Sequence, residues 1–249
     1  MKPPVRIAMW SGPRNLSTAM MRSFGNRKDA IVIDEPFYAA YLHLTGLEHP
    51  MREEVVAAGP IDPAIAVEGL LRGLPAGKSV FYQKHMTHHM LPEIDRSWFA
   101  QVKHAFLIRS PADVVASYQA KRESISLPDI GIVQQVEIFD EISRQSKGHH
   151  PVVIDSRDIL NAPEAILIAL CRALEITYDQ SMLSWPSGSR ETDGVWAAHW
   201  YGSVDKSTGF AAPARQQSDR TFSDESRELI EQAQPYYDYL ARHRISNKG

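Results

Sequence analysis

The sequence has a single cysteine, Cys171, so a disulfide within the chain is unavailable and the fold must rest on packing. That cysteine lies in an apolar helical run, ILIALCRAL, and reads as a small core residue and not as a nucleophile. Long hydrophobic runs are also missing. None approaches the roughly 20 apolar residues that cross a bilayer. The opening MKPPVRIAMW has no apolar segment of a secretory leader, and the cytoplasm is the expected location. Excess charge of one sign is lacking too: the formal charge is -3 and the pI near 6.4. That balance excludes a general nucleic-acid binder, so any anion site has to be local. Neither an internal repeat nor a low-complexity linker divides the chain.

What is present suits one α/β domain. The 249 residues are 43% hydrophobic and 23% charged, enough to bury a sizeable core, and a single domain over 1–249 is expected. Short apolar runs at 5–10 (VRIAMW), 30–33 (AIVI), 80–83 (VFYQ), 104–108 (HAFLI) and 152–154 (VVI) read as central strands. Helical patterns lie between them at 17–25, 63–72, 111–122, 130–147 and 163–174, and a last one covers 224–243. The last begins at Ser223 and repeats Leu229, Ile230, Ala233, Tyr236, Tyr237 and Leu240 as a docking face. The alternation predicts a mostly parallel central sheet with helices on both faces. Two stretches, 45–62 and 185–222, have no regular pattern. The second carries Trp185, Trp196 and Trp200, which favours an ordered lid.

After the first strand comes Ser11-Gly12-Pro13-Arg14-Asn15-Leu16-Ser17-Thr18, followed at once by a helix. Strand, turn and helix start in this order aim unpaired backbone N–H groups at one point, which suits an anion. Arg14 adds a cationic fork, and Ser17 and Thr18 add hydroxyl donors. The loop lacks the Gly-Lys-Ser/Thr ending of the nucleoside-triphosphate loop. A second strand-to-helix junction ends in Arg109-Ser110-Pro111, and Ser117 follows Arg109 by eight positions. Read alone, Arg109 and Ser117 serve equally as a strand-end charge and a packing residue.

These residues resemble the sulfotransferase family, enzymes that use 3′-phosphoadenosine 5′-phosphosulfate. Pro13, Arg14, Ser17 and Thr18 fit the loop that grips the 5′-phosphosulfate, although Asn15-Leu16 replaces the usual Ser-Gly. Arg109 and Ser117 match the pair that binds the 3′-phosphate, with Ser110 in place of the common aspartate. Val152–Leu160 resembles the strand before Tyr-Glu-Asp-Leu, and Lys206 and Gly209 resemble parts of the C-terminal loop that closes over the 3′-phosphate. The resemblance spans 5–210 and implies a three-layer, P-loop-like fold. It also implies that Gly12 to Thr18, Arg109, Ser117, Lys206 and Gly209 hold the sulfuryl donor. A small-molecule acceptor with a hydroxyl or amine follows, and no metal is expected.

Arg14 is expected to stabilise the transferred group and Lys84 to assist at its oxygens. Two residues compete as general base. Glu35 ends the second strand and follows Arg14 by 21 positions, as in the tyrosylprotein branch of the family. His85, after VFYQ, lies near the histidine of the cytosolic branch and titrates near neutrality. Two other readings stay open: a P-loop nucleotide kinase or hydrolase, and a nucleotide-binding protein without turnover. Sequence is silent on the oligomeric state.

Overall fold

A computed structural model describes residues 3–119, 125–211 and 221–245. Five parallel strands form its sheet: β1 (Val5–Ser11), β2 (Ala30–Asp34), β3 (Val80–Met86), β4 (Lys103–Ile108) and β5 (Val152–Asp155), in the order β2-β3-β1-β4-β5. All four pairings are parallel, which sharpens the expected mostly parallel sheet. The chain leaves β1 towards one edge for β2 and β3, then crosses to the other side for β4 and β5. This puts a topological switch point beside β1, and in open α/β sheets ligands bind at the carboxyl ends of strands flanking such a point.

Helices α1 (Ser17–Gly25), α2 (Tyr38–Thr45), α3 (Arg52–Ala58) and α4 (Pro63–Leu71) precede β3. Between β4 and β5 lie α5 (Pro111–Gln119), α6 (Leu127–Ile130) and α7 (Ile132–Gln145). After β5 come α8 (Ser156–Asn161), α9 (Pro163–Ala173), α10 (Ala197–Trp200) and α11 (Asp224–Ala241). No helix among the described residues is long and apolar enough to cross a membrane.

Successive residues of a strand face opposite sides, and two cores follow. Ile7 and Met9 pack with Met20, Met21 and Phe24 of α1 and with Ile166, Leu167 and Leu170 of α9. Ala8 and Trp10 pack on the other face with Val114 and Val115 of α5, Phe139 of α7, and Leu229, Ala233 and Leu240 of α11. Cys171 is buried in the first core, as expected, and burial pushes its thiol up to about 11. Ser223 caps α11 by accepting from the Ser226 N–H.

The sequence pattern and the structure part at several elements. The helical pattern expected at 130–147 breaks at Gly131, whose φ of +71° ends α6 and opens α7. A Cβ there would stand 2.8 Å from the Thr87 hydroxyl, so the site requires glycine. The irregular 45–62 contains α3, whose Glu53 and Glu54 sit in its first turn and complement the helix dipole. Strand β3 runs three residues beyond the expected 83, through Lys84, His85 and Met86. Residues 120–122 of the helix expected at 111–122, and 212–220 of the expected lid, lie outside the described residues.

Candidate active site at the carboxyl edge of the sheet

The loop that leaves β1 has an alternating backbone. Arg14 (φ 62°) and Leu16 (φ 73°) take left-handed conformations, whereas Pro13, Asn15 and Ser17 do not. Backbones of alternating hand turn successive N–H groups to one side and form anion-binding nests. Leu16 is the N-cap of α1 and provides no side-chain cap, and the first turn of α1 carries no acidic residue. Its opening N–H groups are therefore left for another acceptor. Asn15 is buried and anchors the loop by donating to the Leu107 carbonyl at 3.2 Å. Gly12 serves close approach: a Cβ would stand 2.1 Å from the Ile130 carbonyl oxygen.

The two basic junctions meet. Arg109, at the end of β4, donates to the Arg14 carbonyl at 2.6 Å. Arg14 sends Nε to the Ser117 hydroxyl at 3.0 Å and a terminal nitrogen to the Ser117 carbonyl at 3.2 Å. Its guanidinium lies 5.8 Å from the Tyr118 ring centre. Arg14, Arg109 and Ser117 thus share one wall of a cavity of about 890 Å³, together with Pro13, Asn15, Leu16, Ser17 and Thr18. Arg14, expected to stabilise the transferred group, is turned towards the second junction.

Across the cavity, β2 and β3 place a buried charged network. Asp34 and Lys84 are register partners in parallel strands, so both side chains leave the same face. Lys84 donates to Asp34 at 2.8 Å, to Glu35, and to the Tyr201 hydroxyl at 2.8 Å. Tyr201 donates to Asp34 at 2.6 Å. Lys84 is therefore committed to two carboxylates, and Glu35 pairs with it instead of with Arg14. Glu35 stands just past β2 in a left-handed turn (φ 42°), lines the cavity, and remains 9% exposed. Its carboxyl is raised to about 6: burial disfavours the charged form, Asp34 adds repulsion, and Lys84 opposes both.

His85 is not part of this site, which corrects its place as a candidate base. Pleating sends it to the opposite face, stacked on Trp10 at 4.5 Å and packed near Phe37 and Trp98. Burial lowers its imidazole to about 3. Gly12 and Lys206 are absent from the cavity wall as well. Lys206 is exposed, and its neighbours Ser207 and Gly209 line the cavity. Two histidines beyond β3, His88 and His89, do line it. His89 stacks between Tyr38 at 4.5 Å and Tyr41 at 4.7 Å, with Nδ1 3.9 Å from Glu35. They sit in the 3-10 turn Thr87–His89, which the side-chain alternation of β3 does not reach; that alternation informs only the strand itself. Continued past Gln83, it puts Lys84 and Met86 on one face and leaves His85 on the other.

The segment after 185 closes the cavity from the side. Arg22 of α1 holds Asp193 through a bidentate pair and Asp205 at 3.1 Å, with Arg22 and Asp193 almost wholly buried. The Gly194 N–H donates to Asp34 at 3.2 Å, and a bridge joins Ser184 to Gly209. Trp200, Tyr201, Ser203 and Val204 consequently form part of the wall.

Fold and cleft together define a three-layer α/β protein with a loop-lined pocket, two arginines on one wall, at the carboxyl ends of its parallel strands. A family model described as a sulfotransferase domain matches residues 5–244, and the chain belongs to the sulfotransferase family. Two Arabidopsis thaliana proteins, named branched-chain-amino-acid aminotransferase-like protein 2 and protein 1, are each 36% identical over 95% and 98% of this chain. The chain spans only 41% and 43% of their lengths. Among solved structures, the sulfotransferase domain from the curacin biosynthetic pathway has a TM-score of 0.54 at 15% identity, covering 93% of this chain and 98% of that one. A sulfotransferase from Alicyclobacillus acidocaldarius has a TM-score of 0.51 at 12% identity, with 98% of each chain covered. These two likenesses concern the fold.

Proposed function

We propose that this chain transfers a sulfuryl group from 3′-phosphoadenosine 5′-phosphosulfate to a hydroxyl or amine of a small acceptor. The carrying observation is that Arg14 and Arg109, from adjoining strand-to-helix junctions, line one cavity with the nest-like loop between them. One doubly phosphorylated adenosine needs two such anion sites in a single cleft. In this reading Arg109, Ser117 and the Arg14 guanidinium bind the 3′-phosphate. The N–H groups of the loop, with Ser17 and Thr18, bind the phosphosulfate end.

Sulfuryl transfer is an in-line displacement, and its protein groups act by position and charge, as in the phosphoryl case. Glu35 takes the proton of the acceptor hydroxyl while the acceptor oxygen bonds to sulfur and the bond from sulfur to the leaving phosphate oxygen breaks. A carboxyl near 6 is well matched to that task at neutral pH. Lys84 supplies positive charge beside Glu35 and keeps it oriented. Its amine is held by two carboxylates, so its contribution is to position Glu35.

The test is a transfer assay with sulfur-labelled donor and a library of alcohols, phenols and amines. Label appearing in an acceptor, with adenosine 3′,5′-bisphosphate formed in equal amount, is the expected result. Hydrolysis of ATP in the presence of Mg²⁺, without any sulfuryl transfer, would replace this reading with a nucleotide hydrolase.

A further inference from the structure

The cavity is divided by charge. On the β1 and β4 side stand Arg14 and Arg109, with no carboxylate in the loop between 11 and 18. On the other side, Lys84 is outnumbered by Asp34 and Glu35. Two more carboxylates, Glu48 and Asp129, line the same half without a salt-bridge partner among the described residues. With Glu35 ionised, the carboxylates that line this side (Glu35, Glu48 and Asp129) outnumber Lys84 by about two charges, with Asp34 buried behind the wall, opposed to two arginines on the donor side.

Aromatic rings make up the cavity wall on this side. Tyr41 meets His88 edge-on at 5.5 Å and stacks on His89 at 4.7 Å, and Tyr38 covers the other side of His89. His49 bridges this group to Trp200 at 5.8 Å. Burial keeps the His88 imidazole down at about 4 and the His89 imidazole well below its ordinary value, so both rings are neutral at pH 7. Asp129 stands two residues before Gly131, where a Cβ would lie 3.3 Å from the His88 Nδ1, and its carboxylate accepts from the Ser126 N–H at 2.8 Å and hydroxyl at 2.6 Å. His89 is 3% exposed, and its buried Nδ1 lies 3.9 Å from Glu35, which ties this ring cluster to the carboxylate.

A neutral aromatic box with an acidic rim attracts cations through ring quadrupoles and Coulomb forces, and it repels anions. Anionic acceptors are disfavoured by the same carboxylates. From this division we infer that the acceptor is an alcohol or phenol that also carries an ammonium group, seated against the ring cluster at Tyr41 and Trp200 with its charge towards Asp129 and Glu48. The inference rests on the sulfotransferase reading for which half of the cavity takes the acceptor. The hydroxyl then lies on the Glu35 and His89 side, and the ammonium group faces the rim.

Binding of matched probes tests it. Tyramine, 4-ethylphenol and 3-(4-hydroxyphenyl)propionate share a phenol and differ in charge. Choline and 3,3-dimethylbutan-1-ol form a second, aliphatic pair. Each is titrated calorimetrically into the whole chain, with and without saturating adenosine 3′,5′-bisphosphate. The cationic member of at least one set should bind roughly tenfold tighter than its neutral partner, with the propionate weakest. In the Asp129→Asn, Glu48→Gln double variant that preference should shrink towards unity while the bisphosphate still binds, no weaker than before. Equal affinity across charge in both sets, tighter binding of a neutral or anionic probe, a preference unaffected in the double variant, or no probe binding at all overturns the inference. Failure of the bisphosphate to bind is a separate outcome. It removes the donor reading, and the titrations without it still decide the charge preference.

Discussion

Lys84 and His85 are neighbours in β3, and the pleat sends one into the cleft and the other into an aromatic core. Such a division makes the assignment of the base testable with single substitutions. Glu35→Gln should lower the turnover rate by roughly 10²–10⁴-fold, the usual weight of a general base, while donor binding persists. His85→Phe preserves the stacking on Trp10 and should leave turnover per folded molecule unchanged. Steady-state kinetics on both variants, with circular dichroism to verify folding, checks the pair; loss of turnover only in the His85 variant would reverse the assignment. The raised carboxyl also sets a pH profile. Turnover should climb as Glu35 loses its proton through about pH 6 and level off above it. Stability moves the other way for this group. Its folded value lies above the ordinary 4.5, so its contribution is fully present below about 4.5 and is lost as pH rises through about 6. A rate profile without a limb near 6 would remove Glu35 from the role.

Elements were legible where hydrophobic pattern and punctuation agreed. The run VRIAMW, then Gly-Pro, then the apolar STAMMRSFG already specified β1, its loop and α1, because each local preference pointed to the same answer. Proline at the first turn likewise marked α4, α5 and α9. The tryptophans of 185–222 suggested a lid there, but what fastens the segment was not legible, because long-range pairing of charges holds it and periodicity does not. Nothing local in Arg22 announces Asp193 and Asp205, more than 170 residues further along the chain. That His88 and His89 line the cleft was not legible for a related reason: their place depends on how far β3 extends. Arg22→Ala should leave Asp193 buried without its partner. A loss of about 3–5 kcal/mol is expected for breaking such a pair, measured by urea unfolding. A change below about 0.5 kcal/mol, the range of ordinary surface substitutions, would mean that the 193–205 segment is not fastened through this arginine.

At the scale of the molecule, a chain of slightly negative charge concentrates two arginines at the carboxyl ends of β1 and at the head of α5, against one cavity wall. Neither composition nor net charge carries that information; the strand order does, by setting β1 between β3 and β4. The same topology brings Glu35 and Lys84 from the other side of β1, so that the two arginines and the Glu35–Lys84 pair line one space. The most direct test of this arrangement is calorimetric titration of adenosine 3′,5′-bisphosphate into the native chain and its Arg109→Ala variant. The account predicts one site per chain, with affinity weakened roughly 10- to 150-fold in the variant, as follows from losing a charged hydrogen bond of about 1.5–3 kcal/mol. Unchanged affinity in the variant, or heat only with ATP and Mg²⁺, would contradict it.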